Sequence, residues 1–183
     1  FLSTNSSIVK MYLVLQSYKI NTYICTHNKT FYKAYTKMYK SRQIADWIIH
    51  KTHGNITHSK LQKLLYYCQA WHYTVFNEVL FDERIEAWAH GPVVPSQFNR
   101  CNNIDFFQNI KVKDCENIKL KSKTEQLLNE VVGIYNKCTD GHLELLVKRE
   151  DPWKKTRGDI PEFKKCQKEI KLDLMKQYYI NIN

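Results

Sequence analysis

Three groupings of side chains in this sequence could do chemistry on residue type and spacing alone. Cys68 and His72 stand four apart, so on a helix they share one face as a thiol and its base could. His50, His53 and His58 are close enough in sequence to begin a zinc site, which needs three or four ligands converging tetrahedrally. Glu83 and Glu86 could face one another as paired carboxylates across a short segment. Each grouping also has a plainer reading. Cys68 and His72 both fall on an apolar stripe, and a thiol buried without a cationic neighbour has a raised pKa and is inert. The histidines cluster at a helix end, where a protonated imidazole suits the dipole. The carboxylates read as a solvated edge. A hydrolase using Cys68 and His72 therefore requires a solvent-accessible thiolate at neutral pH.

The motifs that mark common catalytic classes are not found. With five glycines in all, neither G-x-G-x-x-G nor G-x-x-x-x-G-K-[ST] occurs. Neither G-x-S-x-G nor H-E-x-x-H occurs. The expectation is a binding protein and not an enzyme, with no catalytic residues, no cofactor and no metal.

The elements that must position these residues are helical. Ile44, Ala45, Ile48 and Ile49 make one apolar face, so a helix is expected from Ser41 to His53, with Ser41 as N-cap and Gly54 as the left-handed residue that ends it. A second helix is expected from Thr57 to about Asn77. Leu61, Leu64, Leu65, Cys68, His72 and Val75 form its stripe, widened by Tyr66, Tyr67, Trp71 and Phe76. A helix apolar nearly all round is a central, buried one. Gln62 and Lys63 lie off that stripe and are expected to face outward. Ile85–Ala89 alternates as a short strand, His90–Pro95 reads as a rigid loop, and Pro95 can open a short helix reaching about Cys101. Residues 102–121 are irregular, with Ile104, Phe106 and Phe107 as anchors. Ser122–Glu125 matches the capping box of a helix ending near Cys138, in which Gly133 suggests a close packing contact. The chain restarts at Asp140 or Gly141 into a helix over Leu143–Arg149, which Asp151-Pro152-Trp153 ends. Leu172–Tyr179 closes the fold. The fold class is mainly α: a single compact helical domain around a central buried helix, with a minor β element before the Gly-Pro loop.

Bulk composition bounds the rest. The chain has 183 residues, 43% of them hydrophobic, enough for one core. The net charge is +10, and residues 1–37 hold five lysines and no Asp, Glu or Arg. Such an excess can attract nucleic acid, an acidic protein surface or simply water. The segment from Lys29 to Lys37 mixes basic and aromatic residues in a way that could stack on nucleotides. Residues 1–37 lack a clean period and read as an N-terminal extension, non-native or disordered, with Met38 the expected initiator and 38–183 the domain. The six cysteines are scattered singly, which suits reduced thiols and a cytoplasmic location. No apolar run reaches the length of a membrane span, and no membrane partner is expected.

Three ordered blocks carry a family resemblance. They are Ile44–Ile49; Ile56-Thr57 with Leu61-Gln-Lys-Leu-Leu-Tyr-Tyr67; and Leu80-Phe81 with Ile85–Trp88 and Gly91-Pro-Val-Val-Pro95. Leu143 and Asp151-Pro152-Trp153 add a closing block. Together, over about Met38–Tyr179, they resemble the Panacea domain, also called the SocA-like antitoxin or phage-associated GepA-like family. Where that family often carries Thr-His before its Pro-Trp, this chain has Val147-Lys148-Arg149, which puts any role of that pair in doubt here. The resemblance implies an antitoxin of a toxin–antitoxin or prophage system that holds a cognate toxin by direct contact. In the SocA branch it implies a proteolytic adaptor that delivers the toxin to an ATP-dependent protease. The alternative is a DNA-binding regulator of such an operon, suggested by the charge and by a helix-turn-helix-like junction at Gly54. The candidate partner-binding residues are Gln62, Lys63, Trp88, His90, Gly91, Pro92, Pro95 and Trp153. The Trp88–Pro95 block could present Trp88 and His90 to a partner, or could plug the core against the second helix.

Overall fold

The segment from Leu61 to Trp71 is apolar on most of its circumference, and the rest of the chain wraps it so closely that Gln62, Lys63 and Gln69 are buried too. The computed structural model describes residues 38–112 and 115–181; the expectations for residues 1–37, including the Lys29–Lys37 segment, lie outside the described residues. In chain order the elements are α1 (Ser41–Lys51), α2 (His58–Phe76), β1 (Glu86–Trp88), β2 (Gly91–Val93), α3 (Pro95–Arg100), α4 (Ser122–Tyr135), α5 (Asp140–Arg149), α6 (Asp151–Arg157) and α7 (Leu172–Ile180). The fold is mainly helical with one small antiparallel sheet, as the periodicities predict. Helix α2 is the hub, packing against α1, α4, α5, α7 and β2. Every residue from Leu61 to His72 is buried.

Local chemistry sets where these elements begin and end, and corrects several expectations. Lys40, not Ser41, is the N-cap of α1; Ser41 is its first helical residue, and its backbone N–H and hydroxyl both donate to the Glu83 carboxylate. The helix stops at Lys51 because His53 takes the left-handed conformation (φ 52°). The Gly54 N–H then reaches back to the Ile49 carbonyl and the His53 N–H to the His50 carbonyl, the Schellman pairing. Gly54 follows at φ 70°, and a Cβ there would meet Val112 Cγ2 at 2.9 Å, so the turn needs glycine twice over.

The first amides of α2 show why its N-terminus is where it is. Helix ends leave N–H groups without partners. Here the His58 N–H donates to the Gln108 carbonyl, the Ser59 N–H to the Phe106 carbonyl, and the Lys60 N–H to Thr57 Oγ1. The loop after α3 is thus bound to the start of the central helix. Asn77 at φ 54° ends it. Gln69, buried within α2, accepts the Leu80 and Phe81 N–H groups and donates to the Phe81 carbonyl, fixing the next turn.

The expected loop over His90–Pro95 is in part a strand. Gly91–Val93 pairs antiparallel with Glu86–Trp88, and Pro92 stands opposite Ala87. The other edge of β1 is covered by the chain before α7, through Ala87 N–H to the Lys168 carbonyl and Ile170 N–H to the Ile85 carbonyl. Ser122 is the first residue of α4 and makes no side-chain cap, so the capping box is not formed there. Gly133 is exposed, and a Cβ added to it would find nothing within 4 Å, so it marks no packing contact. Asp151-Pro152-Trp153 does not close a helix but opens α6. Glu150 is extended (ψ 141°) and breaks the helix before it, and proline in a first turn gives up an N–H that has no helical partner anyway.

Candidate functional site

The β-hairpin supplies one wall of the site. Gly91 turns it at φ 106°, a conformation that L side chains rarely adopt, and a Cβ there would lie 3.0 Å from Val147 Cγ2 and 3.2 Å from Lys63 Cε. The turn therefore seats directly on α5 and on the stem of Lys63. Trp88 is fixed at both ends. Its indole N–H donates to the buried Glu86 carboxylate at 2.7 Å, and its carbonyl accepts the Trp153 indole N–H at 3.0 Å.

Helix α3 and the loop after it supply the floor. Arg100 pairs with the buried Asp46 of α1, and Gln97 donates to Ser41 Oγ at 2.8 Å, so α3 is anchored to the core. Phe98 then packs against Trp88 with ring centroids 4.8 Å apart. Phe106 lies 6.1 Å from Phe98, and Phe107 lies 5.3 Å from Phe106 at a steep angle. The Phe106 backbone is the one held by the amides of α2, so the row is carried by the central helix.

Arg157 builds the opposite wall. Its guanidinium is buried and donates to the carbonyls of Ala87 (2.7 Å), Pro161, Glu162 and Lys164 (2.8 Å), while its plane lies 4.9 Å from the Trp153 ring. Those bonds shape residues 161–164 into a tight turn and leave Phe163 standing 79% exposed. Between the walls lies a cleft of about 640 Å³ lined chiefly by Trp88, Val93, Phe98, Phe106, Phe107 and Phe163, with His90 and Lys165 among its polar groups. Phe107 at its margin is 62% exposed.

Beneath this floor sit two buried basic groups. Lys63 Nζ donates to Ser59 Oγ at 2.9 Å and lies 4.8 Å from the centre of the Phe106 ring, a cation–π contact. Burial pulls its pKa down to about 8, and the charge of Lys148 adds to that; Glu144 and Asp140 act against it. His58 lies between Phe98 and Phe106, at 4.9 and 5.5 Å, and burial followed by the Lys63 charge holds its pKa below the usual value. Its Nε2 is buried without a hydrogen-bond partner among the described residues.

The residues expected to contact a partner fall into two layers. Trp88 and His90 line the cleft, and His90 Nδ1 lies 3.3 Å from Glu144. Pro95 opens α3, half-buried. Gly91 and Pro92 are buried within the hairpin, and Trp153 is buried against it. Gln62 and Lys63 do not face outward as expected: both are 0% exposed. The stripe on α2 is not one-sided, because a hub helix has neighbours on every face, and Gln62 spends its carbonyl oxygen on the Val94 N–H. Sequence does not single out Phe98 or Phe163; Phe163 sits in a lysine-rich stretch with no period, so no pattern marks it. Phe106 and Phe107 are legible only as loop anchors.

The other groupings are dispersed by the fold. Cys68 is buried in α2 and desolvation pushes its thiol well above the usual range, while His72 binds the Glu78 carbonyl at 2.7 Å. Glu83 caps Ser41 and Glu86 holds Trp88 and Arg84. His50 binds the Cys115 carbonyl, and His53 occupies the helix-ending turn. Among the described residues no three His, Cys, Asp or Glu stand together so as to hold a metal, and no helix is long and apolar enough to cross a membrane.

No curated protein and no solved structure matches the chain. A family model does match, that of the antitoxin SocA-like, Panacea domain, over residues 61–154. That span runs from Leu61 of the central helix through the hairpin, the aromatic floor and Trp153. This chain therefore belongs to the SocA-like Panacea antitoxin family.

Proposed function

We propose that the chain is an antitoxin that neutralises a cognate toxin by direct, non-catalytic contact at the aromatic cleft. The observation that carries this reading is the cleft itself, whose hairpin wall and aromatic floor lie in the segment that matches the antitoxin family, while its opposite wall, with Phe163 and Lys165, comes from the chain that follows that segment. Phe107 and Phe163 project their rings into solvent on a framework that buries most of its large apolar side chains around α2. Exposed apolar patches of that kind mark protein contacts. The walls are held rigid by Arg157, Trp153 and the amides of α2, which lowers the entropy lost on binding. The nucleic-acid alternative draws less support. The Gly54 junction leads into α2, and a helix buried along Leu61–His72 has no face to lay in a groove of DNA.

Toxin capture belongs in the cytoplasm on this reading. The five described cysteines are free thiols, which suits a reducing compartment. Delivery to an ATP-dependent protease is a finer form of the same function, in which the bound toxin is handed on instead of merely covered. The deciding experiment co-expresses the chain with the product of the adjacent gene. Restored growth and a co-purifying complex are expected. Continued toxicity with no complex would overturn the antitoxin reading. A toxin half-life shortened only when both the chain and the protease are present would identify the adaptor form; rescue at an unchanged half-life would identify simple occlusion.

A further inference from the structure

The charges around the cleft constrain what can fill it. Lys165 and His90 line it, and Lys164 and Lys168 flank it in sequence; no carboxylate is among its lining residues. The carboxylates near its margin are engaged elsewhere. Asp105 accepts the Phe107 N–H at 2.9 Å, Glu144 pairs with Lys148 at 2.6 Å and approaches His90, Glu162 beside Phe163 lies 3.9 Å from Lys148, and Glu169 pairs with Lys171. The Lys63 ammonium lies under the Phe106 ring and is not matched by a carboxylate within salt-bridge distance among the described residues. A site that is apolar in its lining and positive at its rim and beneath its floor attracts a partner of the opposite character.

We infer that the cleft takes a segment of a partner protein that carries bulky apolar anchors flanked by Asp or Glu. The inference rests on the antitoxin reading in that the natural bearer of this segment is the toxin. The anchors enter between Phe98, Phe106 and Phe163, and the acidic residues face Lys164, Lys165 and His90. The exposure of Phe163 and Phe107 favours a macromolecular segment over a small molecule, because a small ligand enclosed by the cleft would leave those rim rings in water.

The test does not need the toxin. A library of random peptides is selected on the immobilised full chain, and the winners are measured by fluorescence anisotropy. Winners enriched in Trp, Phe or Leu beside Asp or Glu are expected, with affinity falling as salt rises. Phe163→Ala weakens them about tenfold or more, as loss of an anchor contact does. Lys164→Glu with Lys165→Glu weakens them about tenfold at low salt and flattens the salt dependence. All three positions are exposed, so the variants keep the fold, and circular dichroism checks it. Basic or uncharged winners, or affinities unmoved by these variants, overturn the inference. So does self-association of the free chain that Phe163→Ala abolishes, which would make a second copy the occupant. The two readings fail separately. If Phe163→Ala still neutralises the toxin as well as the parent chain, the cleft assignment falls and the antitoxin reading stands. If acidic apolar peptides bind but no toxin is neutralised, the reverse holds.

Discussion

Two glycines show how much a single position depends on what surrounds it. Gly91 sits at φ 106° with Val147 Cγ2 and Lys63 Cε within 3.2 Å of where a methyl group would go. Gly133 lies in the interior of α4, exposed, with ordinary helical backbone and nothing within 4 Å. The same substitution therefore has opposite signs. Gly133→Ala removes backbone freedom from the unfolded chain and improves helix propensity, and is expected to raise stability by about 0.5–1 kcal/mol. Gly91→Ala forces a strained backbone and a clash with two side chains in one turn, and is expected to lower it by about 1–3 kcal/mol. Urea denaturation of both variants checks the pair; a Gly91→Ala chain as stable as the parent would mean that the hairpin turn can relax. Gly91→Ala should also disturb Trp88, whose emission offers a second readout. Lys63 obeys the same logic. Its ammonium is retained in a buried setting, with its pKa pulled down to about 8 by desolvation. A depressed lysine contributes stability that is present above its unfolded pKa of 10.5 and lost as pH falls through about 8. Lys63→Met should therefore flatten the rise in stability between pH 8 and 10.5, measured as the difference between the two chains' denaturation curves.

At the scale of elements, the wall made by residues 161–164 depends on one side chain. Arg157 donates to four backbone carbonyls, one in β1 and three in that turn. Arg157→Ala leaves those acceptors without their donor and opens a void beside Trp153, so a loss of about 2–4 kcal/mol is expected. Arg157→Lys cannot restore the fork, because a point ammonium cannot serve four divergent carbonyls. Hydrogen exchange should find the amides of Lys164 and of the Ala87 strand opened in both variants, and protection unchanged there would remove the assigned role. Much of this architecture is legible in the sequence where periodicity and capping agree. Thr57 and Asn77 bound α2 as their chemistry suggests, and Pro95 opens α3. What is not legible depends on contacts distant in sequence. Ser41 yields the cap of α1 because Glu83 claims it, and the Phe106 loop is placed by amides of α2 far from it along the chain. Pro152 reads as a stop, although proline in a first turn is equally a start; the extended Glu150 decides between them. Gln62 and Lys63 look like outward residues only if α2 has an outward face, and the number of its neighbours is a tertiary fact.

The whole molecule is tied together at Glu150, where α5 gives way to α6 and meets α2 and α7. Its carboxylate accepts from Tyr67 at 3.0 Å and Tyr179 at 2.5 Å, with Tyr66 at 3.4 Å. Tyr67 stacks on Tyr135 of α4 at 3.7 Å, and Tyr135 accepts the Trp71 indole N–H, so α2 and α7 bond the acid directly and α4 is joined to it through Tyr67. Burial raises the Glu150 pKa from 4.5 to about 7, even though the three phenols favour the charged form. The sign of the effect follows. Between pH 4.5 and 7 the native carboxyl keeps a proton that the unfolded chain has released, so stability falls as pH rises through that window. The stabilisation is full below 4.5 and gone above about 7, a span that corresponds to about 3 kcal/mol. Glu150→Gln keeps an acceptor for the tyrosines without a titrating proton. The difference in unfolding free energy between the parent chain and this variant should therefore drift by roughly that amount between pH 4.5 and about 7, in favour of the variant at the alkaline end. Glu150→Ala behaves differently: it leaves the hydroxyls unpaired over a void and should destabilise at every pH. A parent-minus-Gln difference that is flat across the window would show that Glu150 is already ionised in the folded chain. The tyrosines would then be holding a carboxylate in place, and the cost of its burial would have to be met by the packing of the helices around it.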